Sequence, residues 1–305
     1  MHTIFHADDF GITPAQSMRI LECSSAVEGG HGLLCSTSIL ANGPLFDECA
    51  DLLDGRPASL MIGVHLNVVE GHCCSEPSSI PMLVDGDGMF RLGFASMLLA
   101  SMGPHGHELE RELEIEISAQ IRRVSERFPE LRDHLRLDGH QHFQLIPAMF
   151  EAILAVVGRE GYHLEYLRVP VEPAAPFLRP RVLFTIKPVN WVKHWVLDFL
   201  WRLDRKHLPG YRDVSAAFCG VLFSGSMDST RVPEVYGELA RRAERDGMDL
   251  ELLFHPGGVA SADECLNPSL TGFTAFYLSP GRDAEYHALR EMRLETSTSG
   301  VTSLS

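Results

Sequence analysis

Two adjacent carboxylates, Asp8 and Asp9, follow a short apolar run near the N-terminus. Three further stretches place histidine where an apolar run breaks or ends: His65 in GVHLN, His140 and His142 in DGHQH, and His255 in LLFHPGG. Carboxylate oxygens and imidazole nitrogens brought together from separate segments are ligands suited to a divalent metal. Three protein ligands leave a position for water, whose pKa a metal lowers, and the same ion polarises a carbonyl oxygen. Because Asp8 and Asp9 are chain neighbours, one can bind metal while the other, aimed elsewhere, serves as a base. Asp138, just before His140, and Arg168 in YLRVP belong to the same set.

Each of these residues also has a structural reading. The Asp-Asp-Phe-Gly turn can cap a helix that begins near Pro14. His65 can be a hydrogen-bonded core histidine. His140 and His142 share one face if the extended conformation continues, so either can be a ligand or support one. Pro256 and Gly257 end the run that carries His255, a position suited to a general acid. Arg168 either orients a carboxylate or belongs to a structural ion pair. Neither a Gly-x-Ser-x-Gly elbow nor a phosphate-cradling loop occurs, which removes support from serine-nucleophile chemistry and nucleotide use.

The elements that must position these residues alternate along the chain. β-type runs are predicted at Thr3–Ala7, Ser36–Ala41, Met61–Val69, Leu135–Leu137, Tyr166–Val171, Val214–Phe223 and Leu250–His255, each bounded by Gly, Pro, Asn or Asp. The clearest helix covers Glu108–Phe128, with Leu109, Leu113, Ile117, Ile121 and Val124 on one face. The alternation predicts an α/β fold, a barrel of seven or eight parallel strands in one domain over residues 1–305. In such a barrel the strand C-terminal ends share one side, so the dispersed residues can converge. Residues 174–213 interrupt the pattern as an inserted segment, where Trp191, Val192, Trp195, Val196, Phe199, Leu200 and Leu203 fall at helical spacing. Core packing is the expected role of that stripe, with a substrate lid or a homodimer contact as the other roles. The Ser/Thr-rich composition of residues 296–305 predicts either a frayed tail or a last short strand around Val301–Leu304.

Composition narrows the partners. A net charge of −15 argues against a nucleic acid or an anionic membrane as partner and favours a small neutral or cationic substrate. Seven cysteines without Cys-x-x-Cys spacing suit reduced thiols and a cytoplasmic location. The apolar stretch Trp191–Leu203 is interrupted by charges and is too short to span a bilayer.

Six blocks occurring in order, HADDFG at 6–11, STSILANGP at 36–44, GVHLNVVEG at 63–71, DGHQHFQLIP at 138–147, LRVPVEP at 167–173 and FHPGG at 254–258, resemble the YdjC-like carbohydrate deacetylases, a family that includes chito-oligosaccharide deacetylase. The resemblance implies a distorted βα-barrel and metal-assisted removal of acetyl groups from N-acetylated sugars. It implies that Asp9 binds one divalent metal, zinc or magnesium, with His65 and His140. In that reading Asp8 is the general base and His255 protonates the leaving amine. Gly139 stands where such sequences often have serine, and Phe143–Gln144 where Val-His is more usual. Hydrolysis of another amide or an ester, or silent sugar binding on the same fold, are the alternatives.

Overall fold

All seven predicted β runs form strands, and every pairing is parallel: β1 (Thr3–Phe10), β2 (Ser36–Leu40), β3 (Met61–Leu66), β4 (Leu135–Gly139), β5 (Leu164–Leu167), β6 (Ala217–Cys219) and β7 (Leu250–Phe254). Helices α1 (Pro14–Leu21), α2 (Phe46–Asp51), α3 (Phe94–Ser101), α4 (Gly106–Arg127), α5 (Pro147–Glu160), α6 (Pro180–Leu183), α7 (Pro188–Asp204), α8 (Arg231–Asp246), α9 (Thr271–Tyr277) and α10 (Pro280–Glu291) connect and surround them. The computed structural model describes residues 1–294; the expected tail strand around Val301–Leu304 lies outside the described residues.

The strand order β5-β4-β3-β2-β1-β7-β6 puts β2 in the middle, with β3 on one side of it and β1 on the other. The sheet curls far enough that the Leu167 amide donates to the Val214 carbonyl at 2.7 Å, just ahead of β6. The result is a barrel-like sheet without a strand ladder along its β5–β6 seam. Period-2 alternation divides each strand between the helices and the interior. At the N-terminal end Ile4, Tyr166 and Ala216 close the interior, with Met61 packed against them. Above this plug His6, Asp8, Ser36, Ser38, His65, Asp138, Arg168 and Glu251 are all buried. The interior is therefore filled by a polar network rather than by the apolar layers usual for a barrel.

Predicted strand ends move where side chains capture the backbone. β3 stops at Leu66, short of Val69, because the Asn67 carboxamide oxygen accepts from the amides of Val69 and Glu70. β6 spans only Ala217–Cys219 because the next three amides, Gly220 to Leu222, are taken by the Glu172 carboxylate. Helix α4 buries the predicted stripe Leu109–Leu113–Ile117–Ile121–Val124. Two buried polar residues on it fasten the chain after β3, Glu116 through the amides of Cys74 and Ser75 and Gln120 through Asn67.

The inserted helix forms as α7, but its aromatic stripe is not core. Leu200 is buried, whereas Val192, Trp195, Phe199 and Leu203 are exposed. The side of α7 that does pack uses Asn190, His194, Leu197, Trp201 and Asp204 as well. Spacing alone gives the apolar face its direction but not its partner. Among the described residues no helix is long and apolar enough to cross a membrane.

Candidate active site

The centre is built by an irregularity in β1. Ala7 pairs with Thr37 and Phe10 with Ile39, so three steps on β1 match two on β2. One extra residue in a strand is a bulge, which re-aims side chains that would otherwise alternate. Here it brings Asp8 and Asp9 to the same centre. Asp9 takes a left-handed φ of 67°, rare for a residue with a side chain and a recurrent mark of functional sites. The turn is held by Gln16 Nε2 donating to the Asp9 carbonyl at 3.0 Å and by the Gly11 amide donating to Ser17 Oγ. Helix α1 is capped by Thr13, whose hydroxyl accepts from the Gln16 amide. Capping is therefore not the work of the two aspartates.

Asp9 Oδ1, His65 Nε2 and His140 Nδ1 form a buried triangle with sides of 3.1, 3.2 and 3.5 Å. Donors about 2.0–2.2 Å from one cation stand about 3.3–3.6 Å apart at tetrahedral angles and about 3 Å at octahedral ones. Asp9 Oδ1 receives no hydrogen bond although it is buried, because its partner Oδ2 accepts instead from Arg282 Nη2 at 2.5 Å. The opposite sides of both imidazoles meet carboxylates: His65 Nδ1 stands 2.5 Å from Asp138 Oδ1, and His140 Nε2 3.0 Å from Glu70 Oε1. Carboxylates behind ligating histidines fix their tautomer and orientation at metal sites. Burial by itself would depress both imidazoles. Asp8 and Asp138 nevertheless lift His65 to about 10, and Asp9 with Glu70 lifts His140 to about 9. The surrounding carboxylates favour positive charge here, and a divalent cation satisfies that demand as protons do. The donor set fits one.

Asp8 sits differently. Arg168 donates to both of its oxygens, Nη1 to Oδ2 at 2.9 Å and Nη2 to Oδ1 at 2.8 Å, and Arg168 Nε donates to Glu251 at 2.8 Å. His6 Nε2 lies 3.1 Å from Asp8 Oδ1 and 3.4 Å from Asp138 Oδ2. Burial would raise the Asp8 carboxyl, but Arg168, then His65 and His6, outweigh it and hold the group well below the ordinary carboxylate range. His6, Asp8 and Asp138 also form a cluster of metal-ligating types. Arg168 already supplies the positive charge there, 3.2 Å from Asp138.

His255 enters from the end of β7. Its amide donates to Glu285 at 2.5 Å, its ring meets Phe276 edge-on, and Nε2 lies 4.0 Å from Asp8 Oδ2. Asp8, Asp9, His140, His142 and His255 all line one cavity of about 410 Å³, within the usual size of a small-molecule site. His65 and Asp138 lie behind it, and Arg168 reaches it only through Asp8. His142 departs from the expectation that it shares a face with His140. Gln141 and His142 adopt left-handed φ values of 52° and 63°, which ends the extended run and turns the His142 ring onto Phe218. Burial, aided by Arg168, brings the His142 ring down to about 3, so it faces the cavity as a neutral group.

Several participants carried no sequence signal strong enough to single them out. His6 is one strand pleat below Asp8. Glu70, the penultimate residue of the GVHLNVVEG block, is fastened by Asn42 and Asn67, which donate to its carbonyl, while Tyr277 donates to its carboxylate. Arg282 and Glu285 arrive from α10. The two departures at Gly139 and Gln144 explain each other: a Cβ on residue 139 would lie 2.6 Å from Gln144 Oε1. The glutamine occupies the space a larger residue at 139 would need.

Comparison with known proteins gives a match to the model of the YdjC-like protein family over residues 2–298. A chitooligosaccharide deacetylase of Escherichia fergusonii is 28% identical over 253 residues, 83% of this chain and 80% of that protein. A carbohydrate deacetylase of Danio rerio is 31% identical over 174 residues, 56% of this chain but only 50% of the relative's length. A crystal structure described as a putative cellobiose-phosphate cleavage protein of Enterococcus faecalis V583 superposes with a TM-score of 0.62 at 18% identity, covering 95% of this chain and 90% of that one. At that identity the likeness shows the fold alone.

Proposed function

Since this chain belongs to the YdjC-like family, we propose that it is a metal-dependent hydrolase that removes the acetyl group from an N-acetylated sugar. The observation that carries the reading is the buried Asp9–His65–His140 triangle with Asp8 and His255 beside it, all but His65 opening on one cavity. The relatives named as carbohydrate and chitooligosaccharide deacetylases support the choice of bond. Asp9, His65 and His140 would hold the ion, which when bound supplies a Lewis acid for the acyl oxygen and lowers the pKa of water.

The chain's own groups do the rest. Asp8 Oδ2 takes the proton of the attacking water; among the described residues only Arg168 Nη1 donates to that oxygen, leaving a lone pair for the task. Arg168 fixes the carboxylate's orientation, as a positioning residue rather than a catalytic one. His255 gives a proton to the nitrogen as the carbon–nitrogen bond breaks, releasing acetate and an amine. Glu70 and Asp138 keep the two imidazoles facing Asp9.

The test is an acetate-release screen of the purified protein, loaded in turn with zinc and magnesium, against N-acetylated monosaccharides and oligosaccharides. Release from at least one sugar, lost on chelation and restored by metal, is expected. Release from none, with turnover of simple esters, would replace the amide with an ester as the bond cleaved.

A further inference from the structure

Among the described residues, half of the large exposed apolar side chains fall within residues 178–203, on and just before the helix that lines the cavity. Phe184, in the turn between α6 and α7, is 86% exposed, Trp195 61% and Phe199 55%, and Leu178 and Val192 are similarly uncovered. On α7 the spacing Val192, Trp195, Phe199 places these side chains on one stripe. The neighbouring side of the helix, Val189, Val192, Lys193 and Val196, lines the cavity. One helix thus serves both the mouth and an apolar face turned to solvent.

Charge is distributed in the same pattern. Residues 178–207 hold all three lysines of the chain, Lys187, Lys193 and Lys206, together with Arg179, Arg181, Arg202 and Arg205, against Asp198 and Asp204 alone. That is a net of +5 in a chain whose whole carries −15. Arg179 pairs with Glu238 and Arg202 with Asp198; Lys187 and Lys206 take no part in an ion pair among the described residues. The overall charge that argues against an anionic surface is an average, and this segment runs against it.

We propose that α6 and α7 dock the protein onto an anionic lipid surface, with Phe184, Trp195 and Phe199 entering the interface and the flanking cations meeting the headgroups. An apolar aromatic stripe bordered by Lys and Arg is the composition of a helix that lies in the membrane plane, and anionic lipid adds attraction for each nearby cation. A second copy of the chain fits less well. A two-fold contact sets a face against itself, which here brings like charges together. Docking in this way turns the cavity mouth toward the lipid, and it is independent of the reaction proposed above.

The experiment is co-sedimentation of the full chain with vesicles of phosphatidylcholine alone and of equal parts phosphatidylcholine and phosphatidylglycerol. Binding to the second and not the first, declining at high salt, is expected. Trp195→Ser with Phe199→Ser should lower the bound fraction about tenfold, and both positions are exposed, so the fold should survive. A second variant, Lys187→Gln with Arg181→Gln and Lys206→Gln, leaves the apolar stripe intact and should lose binding to the anionic vesicles as well. Equal binding to both vesicle types, or none to either, overturns the proposal. So does a wild-type dimer in solution that the serine variant converts to monomer while neither binds vesicles, since the face then belongs to a second copy.

Discussion

Asp8 and Asp9 are chain neighbours of the same type, equally buried, and each is held by one arginine, yet the two arginines leave them with different capacities. Arg168 grips Asp8 through both oxygens, whereas Arg282 takes a single oxygen of Asp9 and leaves the other without a donor. A carboxylate gripped by a guanidinium through both oxygens is fixed in orientation, and with one donor on Oδ2 it keeps a lone pair there. One with a bare buried oxygen is costly unless a cation completes it. The difference fits the two proposed roles without any difference in residue type: the bare oxygen of Asp9 suits a ligand, and the two-oxygen grip on Asp8 suits a group held in one orientation.

The largest effect should come from exchanging the carboxylates for amides one at a time. Asp9→Asn replaces an anionic ligand by a weak neutral one, and it should lose metal and turnover together. Asp8→Asn should keep its metal while acetate release falls about 10²–10⁴-fold, the usual worth of general acid–base catalysis. His65→Ala should follow Asp9→Asn, and His142→Ala should do much less, because its ring lies against Phe218. Elemental analysis paired with acetate release on each variant checks this. Loss of metal from Asp8→Asn with retention in Asp9→Asn would reverse the assignment.

Next in size is the cost of removing the guanidinium. Arg168→Met would leave Asp8, Asp138 and Glu251 facing one another in the barrel interior, and breaking a buried ion pair from one side costs about 3–5 kcal/mol. Urea unfolding of the variant should show a loss of that order. A stability within about 1 kcal/mol of wild type would mean that the three carboxylates find other partners and that Asp8 is not held as described.

How much of this comparison is legible in the sequence depends on where each partner sits. Asp8, Asp9, His65, Asp138, His140, Arg168 and His255 each interrupt or end an apolar run, so strand periodicity marks them and parallel topology brings them together. Arg282 and Glu285 lie on a helix beyond the last strand, and α10 carries its own apolar contacts, Tyr286 and Leu289 among them. No local pattern distinguishes an arginine that reaches Asp9 from one that reaches solvent. His142 illustrates the converse failure. Its spacing from His140 is right for one strand face, and only the left-handed backbone at 141 and 142, which propensity does not announce, sends it elsewhere. The exposed stripe of α7 belongs with it, because helical spacing shows an apolar face and cannot show whether anything covers it.

A smaller effect should appear with pH. In the metal-free protein His65 titrates at about 10 and His140 at about 9, both above the ordinary imidazole value of 6.5. Groups whose folded pKa is raised stabilise the fold fully below the unfolded value, and that contribution is lost as pH rises through the folded one. Chelator-treated protein should therefore lose stability between about pH 6.5 and 10, and His65→Ala should lose less over that window. Metal binding must displace the same protons, so apparent affinity should rise with pH across the same range. Flat stability of the chelated protein would show that the two imidazoles are neutral and that Asp9 alone carries the charge at the triangle.

The smallest effect concerns the cavity wall rather than either aspartate, and it tests whether the comparison is local to them. Glu172, buried, receives the amides of Gly220, Val221 and Leu222, and Gly220 and Val221 line the cavity. Burial lifts this carboxyl to about 7, against the lowering pull of those amides. Its folded pKa is above the unfolded 4.5, so its contribution to stability is complete below that value and declines as pH rises toward 7. Glu172→Gln removes the titration but turns an amide nitrogen toward one of the backbone donors, leaving it unsatisfied at a cost of about 1–3 kcal/mol. The variant should be less stable by that amount, with a shallower pH dependence between about 4.5 and 7. Its metal content should match wild type, and KM should rise more than kcat falls, because the loop shapes the cavity without touching Asp8 or Asp9. A kcat loss as large as that of Asp8→Asn, at full metal occupancy, would show that orientation of Asp8 extends through the wall and that the two-arginine account is too narrow.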